Sequence, residues 1–379
     1  MEMINYFGDV FKGLPVLITG HTGFKGSWLS IWLQALGAKV IGYSLPAPTQ
    51  PSHFSITHLD QKMVHITGDI CHYDKIYDTI QEHQPAFVFH LAAQSLVLKS
   101  YTDPKETFDA NVGGTVNVLE AVRNSECVKG CLVITTDKCY ENKEWTWGYR
   151  ENDTLGGSDP YSASKAMAEL ATQAYRASFF ESSKCVASAR AGNVIGGGDF
   201  SDFRLVPDSM KALMSNKLIE VRNPHSVRPW LHVLDALSGY LCLAQNLLQH
   251  EQTFAGAWNF GPMEQQGVSV EALVQKAVDY WGEGDWINLE AIGQKREMHL
   301  LRLNWDQAAH HLKWHPVYNW HEALEDTVKW FKAFHNDPKV ADNENMYQVA
   351  LDHIKKYCIY AQKRELKWAE SKNLLAVEG

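Results

Sequence analysis

The stretch VLITGHTGFKGSWL, Val16–Leu29, decides the fold. A short apolar run, Val16–Thr19, leads directly into Gly20, Gly23 and Gly26. Apolar residues then recur at helical spacing to Leu36, where Gly37 stops the pattern. Glycines let a backbone approach a pyrophosphate closely, and the helix N-terminus adds free N–H groups and a positive dipole end. Three glycines alone are weak evidence, since a tight turn needs them too. Their weight comes from standing after the first strand of a series.

That series continues outward. Val40–Leu45, Met63–Thr67, Ala86–Ala93, Cys131–Thr136 and Cys185–Ala189 read as strands, with helical patterns at Asp74–Gln84, Pro104–Arg123 and Tyr161–Phe180. Strands separated by crossover helices imply a parallel sheet covered on both faces, so the predicted class is α/β with a Rossmann-type doubly wound sheet. Ligands of such sheets bind at the carboxyl ends of the strands. The alternation weakens after residue 195, and Gly196–Asp199 looks like a boundary. The expected division is a dinucleotide-binding domain at 1–195 and a mainly substrate-binding, smaller α/β lobe at 196–379, some of whose elements return to the first. Ile219–Arg222 and Ala257–Phe260 are strand candidates in the second part, and the tail from Glu344 to Gly379 reads as helical without a functional meaning.

Composition narrows the function. The 379 residues are 45% hydrophobic and 21% charged, with a formal net charge of −9 and no long basic run, which argues against a nucleic-acid partner. No apolar stretch reaches the length of a membrane span, and no signal peptide is evident, so a cytoplasmic location is expected. The seven cysteines include no CxxC and read as reduced thiols. The seventeen histidines are scattered, and no metal site is expected.

One feature of dinucleotide folds is missing. An acidic residue about twenty positions after the glycines usually binds the adenosine ribose. No acid occurs between Gly20 and Asp60; Tyr43 and Ser44 stand there instead, so charge does not decide NAD against NADP. Asp69, after the third strand, is placed to meet the adenine amino group, although a turn or cap role serves it equally.

Tyr161 and Lys165 sit at i and i+4, on one helical face. A lysine ammonium beside a phenol favours the phenolate and is expected to bring its pKa towards working pH. Such a tyrosine can take a proton from a sugar hydroxyl while hydride leaves the same carbon. Before that helix, a strand ends in Thr135-Thr136-Asp137-Lys138. Thr136 can bond the same hydroxyl. A hydride shuttle has no use for the neighbouring acid and amine, whereas elimination of water requires both. A surface ion pair is the plainer reading of that dipeptide.

Together these residues resemble the extended short-chain dehydrogenase/reductase superfamily, and within it the CDP-glucose 4,6-dehydratases. The resemblance rests on GHTGFKGSWL (Gly20–Leu29), HLAAQSLV (His90–Val97), TTDKCY (Thr135–Tyr140), DPYSASK (Asp159–Lys165), RAGNVIGGGD (Arg190–Asp199) and RPWLHV (Arg228–Val233). The dTDP-glucose dehydratases carry Thr-Asp-Glu where this chain has Thr136-Asp137-Lys138. Inverting UDP-N-acetylglucosamine dehydratases share the lysine but look different around the glycine loop. The resemblance implies a hydro-lyase using NAD, acting on CDP-glucose and yielding a 4-keto-6-deoxy sugar nucleotide, as a homodimer or homotetramer. An epimerase or oxidoreductase on the same scaffold is the alternative. It further implies cofactor contacts at Gly20, Thr22, Gly23, Phe24, Lys25, Gly26, Ser44, Asp69, Ile70, Leu91, Ala92, Ala93, Tyr161 and Lys165. Gln94, Asn193, Arg204, Arg228 and His232 would hold the substrate, although Phe203 stands where the family is expected to have an acid. Glu144–Tyr149 either caps the sugar or packs as an exposed loop.

Overall fold

The computed structural model describes residues 6–180, 184–264, 267–289, 301–336 and 345–370. The strands are β1 (Pro15–Thr19), β2 (Lys39–Ser44), β3 (Val64–Thr67), β4 (Phe87–His90), β5 (Gly130–Ile134), β6 (Cys185–Ala191), β7 (Asn193–Ile195), β8 (Ile219–Val221), β9 (Val227–Arg228), β10 (Trp230–His232), β11 (Ala257–Phe260), β12 (Val268–Ser269) and β13 (Trp286–Asn288). The helices that matter below are α1 (Phe24–Ala35), α2 (His53–Ile56), α3 (Tyr73–His83), α4 (Val97–Thr102), α5 (Pro104–Phe108), α6 (Gly114–Arg123), α7 (Pro160–Phe179), α8 (Leu205–Met214), α9 (Val233–His250), α10 (Val270–Trp281), α11 (Trp320–Asn336) and α12 (Asn345–Lys363).

Seven strands form one parallel sheet in the order β11-β6-β5-β4-β1-β2-β3. The order reverses between β1 and β4, and this is where a doubly wound sheet opens a crevice for ligands. Alternate residues of the central strands feed two cores. Val16, Ile18, Leu132 and Ala187 face the side of α1 and α9, while Leu17, Val88, Val133 and Val186 face α3 and α6. A period of two does not show in such strands, because both faces are apolar. The seventh strand, β11, comes from beyond Gly196, and α9 packs on β5 and β6. Small strand pairs, β7 with β10 in parallel among them, build the adjoining lobe.

Two sequence expectations differ from the structure. The pattern over Pro104–Arg123 predicts one helix, but α5 and α6 are joined by a π turn at Asp109–Gly113, preceded by the unforeseen α4. The run Ala86–Ala93 is a strand only to His90; Leu91–Gln94 form the loop leaving the sheet. The expected C-terminal helix is α12, which lies on α1 and α11, and Trp368 behind it stacks on Phe7 at 4.9 Å. The last nine residues of that tail lie outside the described residues.

Candidate active site

The glycine loop is set by close backbone approach. Gly20 has φ +78, and a Cβ there would lie 2.6 Å from Ala92 N, so the β1–α1 turn is pressed against the loop leaving β4. A Cβ on Gly26 would collide with the carbonyl of Gly20. Any larger residue would push α1 off the turn and away from an anion at its N-terminus. The His21 imidazole turns away from this cradle and bonds His65 at 2.7 Å.

The end of β2 carries a hydroxyl acceptor. Thr22 Oγ1 donates to Leu45 O at 2.9 Å, which uses its one proton, so in the 2.8 Å contact Ser44 Oγ must donate to Thr22. Ser44 is left with lone pairs only and can accept from a ribose hydroxyl, as a carboxylate would. Beside it, Leu45, Asp69, Cys71, Asp103, Glu106, Asp109 and Asn117 help line a cavity of about 620 Å³. Its carboxylates outnumber its one lysine, Lys105, which suits a free ribose better than a phosphorylated one. Asp69 accepts from Cys71 N at 2.9 Å while its carbonyl receives the Tyr43 hydroxyl, and Ile70 O is held by Asn117.

Behind the loop lies a buried polar layer. Thr115 donates to Asn111 O, so His90 Nε2 must carry the proton in the 3.1 Å contact with Thr115, and Nδ1 accepts from Thr19 at 2.7 Å. That neutral state agrees with a pKa pushed down to about 3 by burial. Asn111, projected by the π turn, bonds Gln94 N at 2.8 Å, Gln94 O at 3.0 Å and Ser164 Oγ at 2.9 Å. It ties the β4 loop to α7, and sequence reasoning missed it. The only signal was an asparagine inside an apolar helical pattern.

The catalytic candidates converge at the ends of β5 and α7. Thr136 Oγ1 donates to Asp137 Oδ1 at 2.9 Å and lies near enough to the Tyr161 phenol to act on it. Asp137 is 3% exposed, and a Cβ on Gly192 would sit 3.1 Å from its Oδ2. Burial raises its carboxyl above the usual range, against the pull of Lys138, Thr136 and Arg228. Lys138, half-buried on the same turn, completes the acid–amine pair. Lys165 is buried and its ammonium is lowered to about 8, burial outweighing the opposing pull of Glu169 and Cys139. One expectation needs correcting here. Tyr161 is pushed up to about 12, not down, because burial of the phenolate exceeds the help from Arg204 and Thr136.

On the substrate side, Arg204 caps α8 and reaches Asp199 Oδ2 at 3.0 Å and Ser95 Oγ at 3.3 Å. Arg228 lies on β9 close enough to act on Asp137, and Asn193 starts β7 opposite Trp230. Two candidates have their side chains engaged elsewhere. His232 is 2% exposed; its Nδ1 accepts from Leu234 N and its Nε2 faces Asp326 at 3.6 Å, so the ring is spent inside the lobe. The Gln94 carboxamide bonds Leu96 N, Leu96 O and Thr107, which makes it a loop brace. In the Glu144–Tyr149 segment, Trp145 stacks on Tyr149 and Arg302 bonds Thr146 O, while Trp147 is exposed. Among the described residues no group of three or more His, Cys, Asp or Glu could hold a metal, and no helix is long and apolar enough to cross a membrane.

A parallel sheet with a glycine-cradled helix terminus, a Thr-Asp-Lys turn and a Tyr/Lys helix defines the class: an extended short-chain dehydrogenase/reductase fold. The sequence profile described as GDP-mannose 4,6 dehydratase matches residues 17–327, and the chain belongs to that family. It is 47% identical over 333 residues to a CDP-glucose 4,6-dehydratase of Salmonella typhimurium, covering 86% of this chain and 92% of that one. A dTDP-glucose 4,6-dehydratase of Xanthomonas campestris pv. campestris is 26% identical, covering 83% and 92%. Among solved structures, dTDP-glucose 4,6-dehydratase from Bacillus anthracis in complex with NAD superposes with a TM-score of 0.70 at 22% identity, covering 86% and 98%.

Proposed function

We propose that the chain is a hydro-lyase that converts CDP-glucose to CDP-4-keto-6-deoxyglucose with NAD as a resident cofactor. The observation that carries this reading is the buried Asp137, which acts on the Tyr161 phenol and has Lys138 next to it on the turn: an epimerase or simple dehydrogenase has no task for such an acid and amine. The 47% identity to the Salmonella enzyme supports the choice of CDP-glucose.

Gly20, Gly26 and the N-terminus of α1 would hold the pyrophosphate, Ser44 the adenosine ribose, and Lys165 the nicotinamide ribose. When bound, NAD supplies a two-electron carrier that takes hydride from C4 and gives it back at C6. In the loaded site the charges of the nicotinamide and of Lys165 would offset the burial of Tyr161, which as phenolate takes the proton of the C4 hydroxyl, with Thr136 orienting that oxygen. Loss of hydride makes C4 a ketone, which acidifies the C5 proton, and Lys138 removes it. Asp137, whose burial favours the protonated acid, delivers its proton to the departing C6 hydroxyl as water. Return of the hydride to C6 and of the Lys138 proton to C5, with the proton held by Tyr161 passing to Asp137, restores every group and closes a redox-neutral cycle. Arg228 and Arg204 would grip the diphosphate, since a guanidinium donates in parallel pairs. Exposed Leu98 and Tyr101 of α4 and Met167 and Leu170 of the adjacent α7 support self-association as a dimer or tetramer.

The test is incubation with CDP-glucose and no added reductant. A 4-keto-6-deoxy product, seen by its alkaline absorbance, is expected. Product from a UDP- or dTDP-sugar but none from CDP-glucose would sink the substrate assignment.

A further inference from the structure

Ser188 and Arg190 are alternate residues of β6, so both side chains leave on the face that α7 covers. Thr135 extends β5 on that face and bonds Ala189 O through its N–H at 2.9 Å. Their polar groups converge on one carboxylate. Glu169 accepts from the Thr135 hydroxyl, from Ser188 Oγ at 2.7 Å and from Arg190 Nη2 at 2.7 Å. Arg190 extends the grip: its Nη1 donates to the Tyr140 hydroxyl at 2.7 Å and to Glu151 O at 3.0 Å, and Tyr140 passes its proton to Asn259 Oδ1 at 2.8 Å. Glu169 and Arg190 are each 3% exposed.

The placement of these partners is the point. Thr135 and Tyr140 flank the segment 136–139 that carries Thr136, Asp137 and Lys138, one at each end. Glu169 lies one helical turn beyond Lys165 on the same face of α7. We infer that Glu169 is a positioning residue: with Arg190 it clamps both ends of segment 136–139 to the catalytic helix. It thereby sets the spacing between the Tyr161/Lys165 pair and the Asp137/Lys138 pair. Glu169 touches no reacting atom and acts through the groups it holds.

The same carboxylate faces Lys165 electrostatically. The groups bearing on that ammonium are Glu169, which favours its charge, Lys25 from α1, which repels it, and the neutral Cys139 and His90. Burial works to raise the Glu169 carboxyl, but Arg190 beside it outweighs that and keeps it below the usual range. A charged Glu169 thus keeps a buried lysine cationic.

The inference rests on the dehydratase reading only for its activity assay, so the experiment has a second readout. Thr135→Val removes one hydroxyl at nearly constant volume, and Thr135→Ser restores it. For Thr135→Val, kcat should fall about 10-fold with KM for CDP-glucose within about 2-fold, as expected when reacting groups are held slightly out of place. Amide exchange of the 136–140 peptide, measured on the protein without substrate, should quicken about 10-fold, while Thr135→Ser stays near wild type. Folded Glu169→Gln should lose activity at lower pH than wild type on the alkaline side. Wild-type exchange in Thr135→Val would overturn the clamp, and an unmoved alkaline limb in Glu169→Gln would overturn the coupling to Lys165. If the wild-type protein ignored CDP-glucose, quicker exchange in Thr135→Val would still support the clamp, and the substrate reading alone would fall.

Discussion

Tyr161 and Lys165 stand one turn apart on α7, whereas Asp137 and Lys138 are neighbours on a three-residue turn at the end of β5. The helix holds the first pair by its own hydrogen bonds, with Asp159 capping it through Ser162 N at 2.9 Å. The turn has only a few long bonds of its own, Cys139 N to Thr136 O and Tyr140 N to Asp137 O at 3.3 Å and Lys138 N to Thr136 Oγ1 at 3.4 Å, and its two ends are tied to α7 and β6 through Glu169 and Arg190. On the proposed reading, oxidation would sit on the rigid helix and elimination on the short turn tied to it; solved epimerases and dehydratases share this fold.

The strongest way to break the comparison is to disable each pair in turn. Tyr161→Phe should lower C4 oxidation by about 10²–10⁴-fold, the usual worth of a general acid or base, and abolish everything after it. Lys138→Ala should lose exchange of the C5 proton by a similar factor while oxidation at C4 survives, read as a transient nicotinamide absorbance at 340 nm. Full-rate C5 exchange in Lys138→Ala would show that the two pairs are not divided as described.

A pH profile sharpens the contrast at smaller amplitude. Lys165 has a folded pKa of about 8, below the 10.5 of the free side chain. Its ammonium is therefore present below pH 8 and is lost as pH rises through that value. The C4 oxidation step should fall about tenfold per unit above it, in single-turnover measurements. A step that stayed flat to pH 10 would remove Lys165 as the titrating group.

Much of this was readable from the chain, for a physical reason. The glycine loop and the Tyr161/Lys165 pair are local: their geometry follows from a strand, a tight turn and a helix of fixed period. The Asp137/Lys138 pair was readable as chemistry, though its support was not. Arg190 is a charge inside the apolar strand CVASARA, and its partner Glu169 is 21 residues away and becomes adjacent only when α7 folds onto β6. Asn111 was hidden by a π turn that the apolar spacing over Pro104–Arg123 read as continuous helix. His232 was misplaced because closeness to Arg228 along the chain suggested closeness in the site; β10 instead buries it against Asp326. The direction of the Tyr161 shift was misread because the charge of Lys165 was weighed and the burial of the phenol was not.

The smallest expected effect concerns the cofactor side, which both pairs share. Ser44→Ala removes one acceptor for the ribose and should weaken NAD binding by about 3–10-fold, near 1 kcal/mol, leaving kcat at saturation unchanged. Equal affinity, by isothermal titration, would mean that Ser44 does not face the ribose.

The central claim is that oxidation and elimination are consecutive acts of one site with hydride returned to the same sugar. CDP-glucose carrying deuterium at C4 tests it most directly. The account predicts that the deuterium reappears at C6 of the 4-keto-6-deoxy product, with one solvent-derived hydrogen at C5 and no net NADH. Deuterium retained at C4, or lost to a pool of NADH that grows with substrate, would contradict it.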